Sequence, residues 1–120
     1  MILFSTIIQE GQTASQKIDA LEERLRGIGQ DILGESPDDA QFRWTTVDKG
    51  RGFTAGAPSK SSLTVAVVPD GIEESTRVEM MTAMCGAFVD ITECTVNDVM
   101  STVIEKSASA GNRGDAIKGD

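Results

Sequence analysis

The sequence predicts an α/β (α+β) protein in which two β-α-β units form one four-stranded sheet with two helices on one face. Three observations predict this architecture: a β-branched apolar run recurs after 60 residues, a glycine follows each run, and an amphipathic stripe follows each glycine. A chain of 120 residues is long enough for one such domain. We expect this domain at 1–106, with unit one at 1–60, unit two at 61–106 and a loose C-terminal tail at 107–120.

Four short runs of the chain are typical of strands, because they are rich in β-branched residues and bounded by polar residues or glycine. The runs are residues 3–8 (LFSTII), 41–47 (QFRWTTV), 63–68 (LTVAVV) and 99–105 (VMSTVIE). The first and third end shortly before Gly11 and Gly71. A helical crossover between the two strands of a unit implies that they pair in parallel. The Gly-rich residues 48–60 predict a turn or a small hairpin between the units.

Two amphipathic stripes predict the helices. The first stripe has spacings of 3, 4, 3 and 4 residues and consists of Ile18, Leu21, Leu25, Ile28 and Ile32. The second lies at matching distances after the second glycine and consists of Val78, Met81, Cys85 and Phe88. Thr13 and Gln16 fit a capping box at the start of the first helix, and Gly34 is a typical C-terminal stop. The acidic residues Glu73 and Glu74 suit the start of the second helix.

Charge and composition exclude several kinds of function. The net charge of −8 argues against a nucleic-acid partner, because phosphate binding needs a clustered basic surface. The charge is uneven, since residues 43–60 contain four basic residues and one acidic residue, which suits a small anion. The chain contains no His and no Tyr, so two common acid-base side chains are missing. Cys85 and Cys94 lack the spacing of metal ligands, and we predict neither a metal nor a cofactor.

The start of the chain, MILFSTII, is apolar but is too short to span a membrane. It also lacks the basic flank and the small-residue cleavage site of a signal peptide. We therefore expect no membrane association and a cytoplasmic protein whose thiols are reduced.

Three segments of unit one resemble the tautomerase superfamily, whose best-known small member is 4-oxalocrotonate tautomerase. They are residues 11–17 (GQTASQK), which resemble the start of that family's helix, Leu33-Gly34 with 37–39 (PDD), which resemble its end, and 52–58 (GFTAGAP), which resemble its Gly-rich hairpin. Two units in one chain resemble the fused members, such as the chloroacrylate dehalogenases and malonate semialdehyde decarboxylase. The resemblance implies a homotrimer and isomerase-type proton transfer at the carbon next to the carbonyl of a small keto or enol acid.

The resemblance implies a mature N-terminal proline as the general base, and this sequence departs from that requirement. Counting back from Gly11, Ile2 stands at the proline position. Because bulky Ile2 should discourage the removal of Met1, the free α-amine lies one residue further out. Met1 is then either an alternative base or an ordinary terminus before a strand.

The resemblance also implies arginines that hold the substrate carboxylate and an aromatic residue from the hairpin. The arginine expected after the first glycine is Gln12 here, and the equivalent residue in unit two is Ile72. Arg43 matches another substrate-binding arginine, Phe53 matches the hairpin aromatic, and Arg51 adds charge to the same loop. Arg43 either holds a carboxylate or is a solvent-facing surface residue. Gln12 is either a neutral hydrogen-bond donor to a substrate or a polar residue that precedes a helix.

Two functions are open from the sequence, ahead of a third, a generic ferredoxin-like module for protein contacts, which would require a different order of helices and strands. The first is an isomerase-type enzyme with an altered active site, in which a pocket joins Met1 or Ile2 with Arg43 and Phe53 across subunits. The second is a non-catalytic pseudoenzyme that binds a ligand or serves as the partner subunit of a mixed oligomer. The losses at the proline and arginine positions motivate the second hypothesis. Glu105, at the end of the fourth strand, is a further candidate acid or an ordinary exposed glutamate.

Overall fold

The computed structural model describes residues 1–47, 53–54, 57–58 and 61–108. Its strands are β1 (Ile2–Gln9), β2 (Ala40–Val47), β3 (Phe53–Thr54), β4 (Ala57–Pro58), β5 (Ser62–Val68) and β6 (Val99–Glu105). Its helices are α1 (Thr13–Gln16), α2 (Ile18–Leu33) and α3 (Glu74–Thr92), and short 3₁₀ turns at Pro37–Asp39 and Val96–Asp98 precede β2 and β6. The four-stranded sheet with two main helices confirms the predicted fold class.

The sheet has the strand order β2-β1-β5-β6. Each unit contributes one parallel pair, β1 with β2 and β5 with β6, as the crossover helices predict. The two units are joined through an antiparallel pair of β1 and β5, in which Ser5 lies opposite Val65. Because these two residues are also 60 positions apart in the repeat, an approximate two-fold axis passes between them. The start of one central strand therefore lies beside the end of the other.

The repeat is not uniform, and this makes the predicted stripe on the second helix wrong. Its offset is 60 residues at Gly11 and Gly71, which both have left-handed φ angles, of 82° and 93°. The offset is 59 at the starts of β2 and β6, which are Ala40 and Val99. One residue is therefore lost in unit two after its glycine, where the chain forms no counterpart of α1.

A slip of one residue rotates a helix by about 100° and brings a different face onto the core. The buried face of α3 consists of Met80, Met84, Ala87, Phe88 and Thr92. Of the predicted stripe, Phe88 is buried, Val78 is 48% exposed, and Met81 and Cys85 are half-buried. On α2 the predicted stripe is correct, with Leu21, Leu25 and Ile28 buried.

The helix ends partly follow the prediction. Gly34 ends α2 in the left-handed conformation with φ 70°, as expected, and Glu73 precedes α3 as its N-cap. The capping box is wrong, because Gln12 is the N-cap of α1 and Thr13 is already helical, with no side-chain cap hydrogen bond. Ser15 Oγ instead donates to the carbonyl of Gln12 at 2.7 Å.

The core lies between the sheet and the two long helices. One cluster of buried residues centres on the start of β1 and the end of β5, and a second centres on Ile8 and Phe88 at the opposite end of the sheet. Between them, the hydroxyls of Thr6 and Thr64 are 3.1 Å apart and satisfy each other in a buried position. No helix in the described ranges is long and apolar enough to cross a bilayer.

The other predictions about the chain's organisation concern segments that the structure describes only in part. Within the predicted hairpin, β3 and β4 pair in antiparallel fashion, with Phe53 opposite Pro58. Most of the predicted tail, from residue 109 onwards, lies outside the described residues, and the division into units at 60 stays a prediction.

Candidate functional site

The start of β1, where the resemblance expects a proline, is part of the hydrophobic core. Ile2 is 1% exposed and belongs to the cluster that also contains Phe4 and Val68. Its side chain lies against α2 at Gly29, where an added Cβ would be 2.7 Å from Cδ1 of Ile2. The side chain at this position therefore stabilises the core and presents no group that can exchange a proton.

The nearest amine belongs to Met1, which is about half exposed. Its α-amine donates to Oε1 of Glu35 at 2.6 Å and forms an ion pair with that carboxylate. Glu35 directly follows the C-cap of α2, so the end of the helix places this carboxylate beside the start of β1. A substrate that used the amine would have to displace Glu35.

Arg43 lies on the open face of the sheet, away from the helices. Its neighbours along β2, Phe42 and Trp44, point to the helix side: Phe42 stacks on Phe4 with ring centroids 5.3 Å apart, and Trp44 Nε1 donates to Oε2 of Glu22 at 2.6 Å. The alternation along β2 is therefore as predicted. Arg43 is exposed and lies opposite Ser5, three residues beyond Ile2 along β1.

Gln12 lies at the other end of β1 from Met1. A strand of eight residues spans about 26 Å, so one chain cannot bring these two residues into one pocket. Because β1 and β5 pair in antiparallel fashion, the loop after β1 lies beside the start of β5, and the loop after β5 lies beside the start of β1. Gln12 lines a cavity with Ser62 at the start of β5, and Ile72 packs against the cluster that contains Ile2.

Two further predicted site residues cannot be placed. Arg51 lies outside the described residues, and of Phe53 only the backbone in β3 is described. The predicted pocket of Met1 or Ile2 with Arg43 and Phe53 therefore stays a prediction.

The cavity at the start of β5 has a volume of about 240 Å³ and was not found from the sequence. It is bounded by the chain after β1, the start of β5 and the end of α3, through Gln12, Thr13, Ala14, Ser62, Thr92, Glu93, Cys94, Thr95 and Asp98. Its polar walls include hydroxyl, amide, thiol and carboxylate groups. The signal that could have found it is the repeat, which places Ser62 at the position of Ile2.

A second polar cluster lies where β6 ends. Glu105 accepts from Nη2 of Arg77 at 2.8 Å and from the backbone N–H of Gly71 at 3.0 Å. Arg77 Nε is buried without a hydrogen-bond partner in the described part of the chain. Glu105, a candidate acid in the sequence, is therefore committed to an ion pair that ties β6 to α3.

No metal centre is evident where the structure describes the chain. There, no group of three or more His, Cys, Asp or Glu side chains could hold a metal ion. Both cysteines are free and half-buried.

Solved structures with this architecture identify the fold. A member of the cis-3-chloroacrylic acid dehalogenase family matches with a TM-score of 0.76 and 17% identity, over 86% of this chain and 73% of that one. A fused 4-OT described as a symmetric trimer matches with a TM-score of 0.72 and 17% identity, over 86% and 84%. This chain has the tautomerase fold.

A third tautomerase-fold neighbour, Pt0534 inactivated by 2-oxo-3-pentynoate, has a TM-score of 0.76 and 16% identity, over 86% of this chain and 84% of that one. No family model matches the sequence, and no curated protein matches it. The similarity therefore lies in the fold, and the residues that would carry activity have to be argued from this chain itself.

Proposed function

We propose that this chain is a non-catalytic member of the tautomerase superfamily that works as a subunit of an oligomer. The burial of Ile2 carries the proposal. General acid-base chemistry needs a titratable group in reach of the substrate, and the side chain at the start of β1 is apolar and enclosed. The loss of arginine at Gln12 and Ile72 agrees with this, because a substrate carboxylate would lack two of its expected partners.

The open face of the sheet supports assembly into an oligomer. Its residues form three rows across the strands: Gln41, Leu3, Val67 and Ile104; Arg43, Ser5, Val65 and Thr102; Thr45, Ile7, Leu63 and Met100. The outer two rows are largely apolar, and Ile7 and Met100 are exposed in the single chain. An apolar sheet face of this kind is typical of a surface that another chain covers. The fused 4-OT neighbours are described as trimers, so a homotrimer or a mixed trimer is our proposal here.

The proposal is tested by the ketonisation of phenylenolpyruvate, measured for the unaltered protein and for Ile2→Pro. We expect no turnover above background by the unaltered protein. Saturable, stereospecific turnover by the unaltered protein, abolished when its α-amine is acetylated, would contradict the proposal. Circular dichroism of the proline variant shows whether it is folded, because the change removes a buried side chain.

Activity of Ile2→Pro alone would mean that a substrate pocket persists and that the base has been lost. This outcome supports a ligand-binding descendant of an enzyme. Inactivity of both proteins also agrees with the proposal, and then a search for partner chains by co-purification becomes the next step.

The second candidate is proton transfer on a small keto or enol carboxylic acid, with the α-amine of Met1 as the base and Arg43 as the carboxylate ligand. It is favoured by the position of the amine, which is at the surface beside the start of β1. The inactivation of a neighbour by 2-oxo-3-pentynoate points to this class of molecule for that neighbour. In this case Glu35→Gln should free the amine and increase the rate of ketonisation, and a decreased or unchanged rate argues against it.

A cytoplasmic location remains part of the proposal.

A further inference from the structure

The side chain of Glu105 is held near the start of α3 in the way that proteins hold the carboxylate of a small molecule. Its Oε1 accepts from Nη2 of Arg77 at 2.8 Å, and its Oε2 accepts from the backbone N–H of Gly71 at 3.0 Å. Each carboxylate oxygen therefore has one donor, and one of the two donors is charged. Arg77 is the fourth residue of a helix of 19 residues, so the positive end of the helix dipole also favours an anion here.

Unit one makes the same turn without a carboxylate. Gly11, at the equivalent place after β1, has a similar left-handed φ of 82°. The offset of 59 residues that relates the long helices and the last strands makes Ile18 the equivalent of Arg77 and Thr46 the equivalent of Glu105. Ile18 and Thr46 cannot form an ion pair. The fold therefore does not require this pair, and unit two carries it as an additional polar site.

The Nε atom of Arg77 is the observation that points to a ligand. It is buried and has no hydrogen-bond partner in the described part of the chain, which costs free energy. Nε and Nη2 lie on the same edge of a guanidinium group, and a free carboxylate can bind both in the bidentate geometry. Glu105 reaches only one of them, because its other oxygen accepts from Gly71 and its backbone is paired with Val68 in the sheet. The site thus has one more donor than its internal ligand uses.

The surroundings of the pair allow an anion to reach it from solvent. Both side chains of the pair are partly exposed, and the basic Lys106 directly follows the internal ligand. The carboxylate of Asp70, in the same loop as Gly71, is itself bound by the backbone N–H of Ser107 at 2.9 Å. Glu73 and Glu74 at the start of α3 are exposed, so water and salt screen their charges.

We propose that Arg77 and Gly71 form a binding site for a small carboxylic acid and that Glu105 blocks this site as an internal ligand. The unaltered chain binds no free carboxylate there, because an attached carboxylate is present at a high effective concentration. The site lies at the same end of the sheet as Met1, since β1 and β5 pair in antiparallel fashion and β5 and β6 in parallel. It rests on the contacts of Arg77 and holds whether or not the chain is an enzyme.

The test removes the internal ligand and offers a free one. Glu105→Ala leaves a space that acetate can fill, and the ¹⁵N-labelled variant is titrated with sodium acetate in exchange for sodium chloride at constant pH and ionic strength. We expect a saturable shift of the amide signal of Gly71 in the millimolar range, and no saturable shift with the neutral isostere acetamide. The unaltered protein should show neither. The absence of a saturable shift with acetate in the folded variant, or an equal shift in the unaltered protein, overturns the proposal.

Two further variants separate the site from general anion binding. Glu105→Gln fills the same space with a neutral amide and should bind acetate about tenfold more weakly than Glu105→Ala, or not at all. The matched control is Asp90→Ala, which frees Arg24 from an exposed ion pair and should give no saturable shift with acetate. If the two alanine variants respond equally, acetate binds to any unpaired arginine and the proposed site is wrong.

A second measurement applies if Glu105→Ala does not fold in chloride. A ligand that binds only the folded state stabilises it, so acetate should then restore the near-UV circular dichroism of the variant and acetamide should not. Failure of acetate to restore the signal, or equal restoration by acetamide, overturns the proposal.

Discussion

Cδ1 of Ile2 lies 2.7 Å from the position that a Cβ would take on Gly29. Strand β1 and helix α2 therefore pack closely at the point where Gly29 has no side chain. Real Cβ atoms do not approach other atoms so closely, so a side chain at position 29 would require the end of the Ile2 side chain to shift. By contrast, the helical Gly27 and Gly86 have open space at the same point. The Ile2 side chain thus occupies the space that a side chain at position 29 would need.

A double-mutant cycle tests this packing. Gly27→Ala should stabilise the protein by about 0.5–1 kcal/mol through helix propensity, whereas Gly29→Ala should destabilise it by about 1–2 kcal/mol because Ile2 must move. Ile2→Val removes Cδ1 and by itself costs about 0.5–1.5 kcal/mol. In the Ile2→Val background, Gly29→Ala should become stabilising, like Gly27→Ala. Urea unfolding, followed by the fluorescence of Trp44, measures the free energy of unfolding of the three single variants and of the double variant. If the effects of Ile2→Val and Gly29→Ala are additive, the contact between the two residues is contradicted.

The ion pair of Arg77 and Glu105 should matter more than the surface pair of Arg24 and Asp90. The first pair is 30% and 25% exposed, and the second is 49% and 62% exposed. Glu105→Gln leaves the guanidinium half-buried without a counter-charge and should cost about 1–2 kcal/mol, while Asp90→Asn should cost less than about 0.5 kcal/mol. Chemical unfolding of both variants provides the comparison. Equal losses would mean that the burial of the first pair contributes nothing.

The open face of the sheet should determine the oligomeric state. Val65 lies at its centre, beside the approximate two-fold axis, so Val65→Asp places a charge in the middle of the proposed interface. We expect light scattering to show an oligomer for the unaltered protein and a monomer for this variant. Val78→Asp adds the same charge on the exposed side of α3 and should not change the mass. A monomeric unaltered protein at all concentrations would contradict the assembly.

The carboxylate of Asp70 makes the stability of the fold slightly dependent on pH. The backbone N–H of Ser107 donates to its Oδ1 at 2.9 Å and lowers the pKa of Asp70 below its ordinary value, with the Ser107 side chain and Lys106 adding to the effect against a slight opposition from desolvation. Because the folded pKa is lowered, this stabilisation is present above the unfolded pKa and is lost as the pH falls through the folded one.

Asp70→Asn should therefore reduce the free energy of unfolding at pH 6. It should have little effect at pH values below the pKa of Asp70 in the folded protein. The effect should be small, because the group is exposed to solvent. Urea unfolding at several pH values checks this, with the exposed Asp31→Asn on α2 as the control. A difference from the unaltered protein that does not vary with pH would argue against the hydrogen bond.

Most of the architecture could be predicted because it depends on local patterns. β-Branched runs, the glycine that ends α2 and the stripe on α2 each reflect short-range preferences, and all of them recur in the structure where expected. The stripe on α3 could not be predicted in the same way. The residue missing from unit two lies in a polar stretch after Gly71 that aligns equally well with or without a gap, and only packing on the sheet reveals which helix face is buried.

The sequence by itself determined two β-α-β units, the apolar residue at the start of β1, and Gln12 and Ile72 at the two positions where the resemblance predicts arginine. Only the tertiary structure decided how the units meet. Because β1 and β5 pair in antiparallel fashion, Gln12 lies beside Ser62 and Ile72 lies near Ile2, in an arrangement that no spacing along the chain indicates. The physical reason is that sequence patterns report which face of an element is apolar, whereas the contacts between distant loops depend on the hydrogen-bonded register of the strands that connect them.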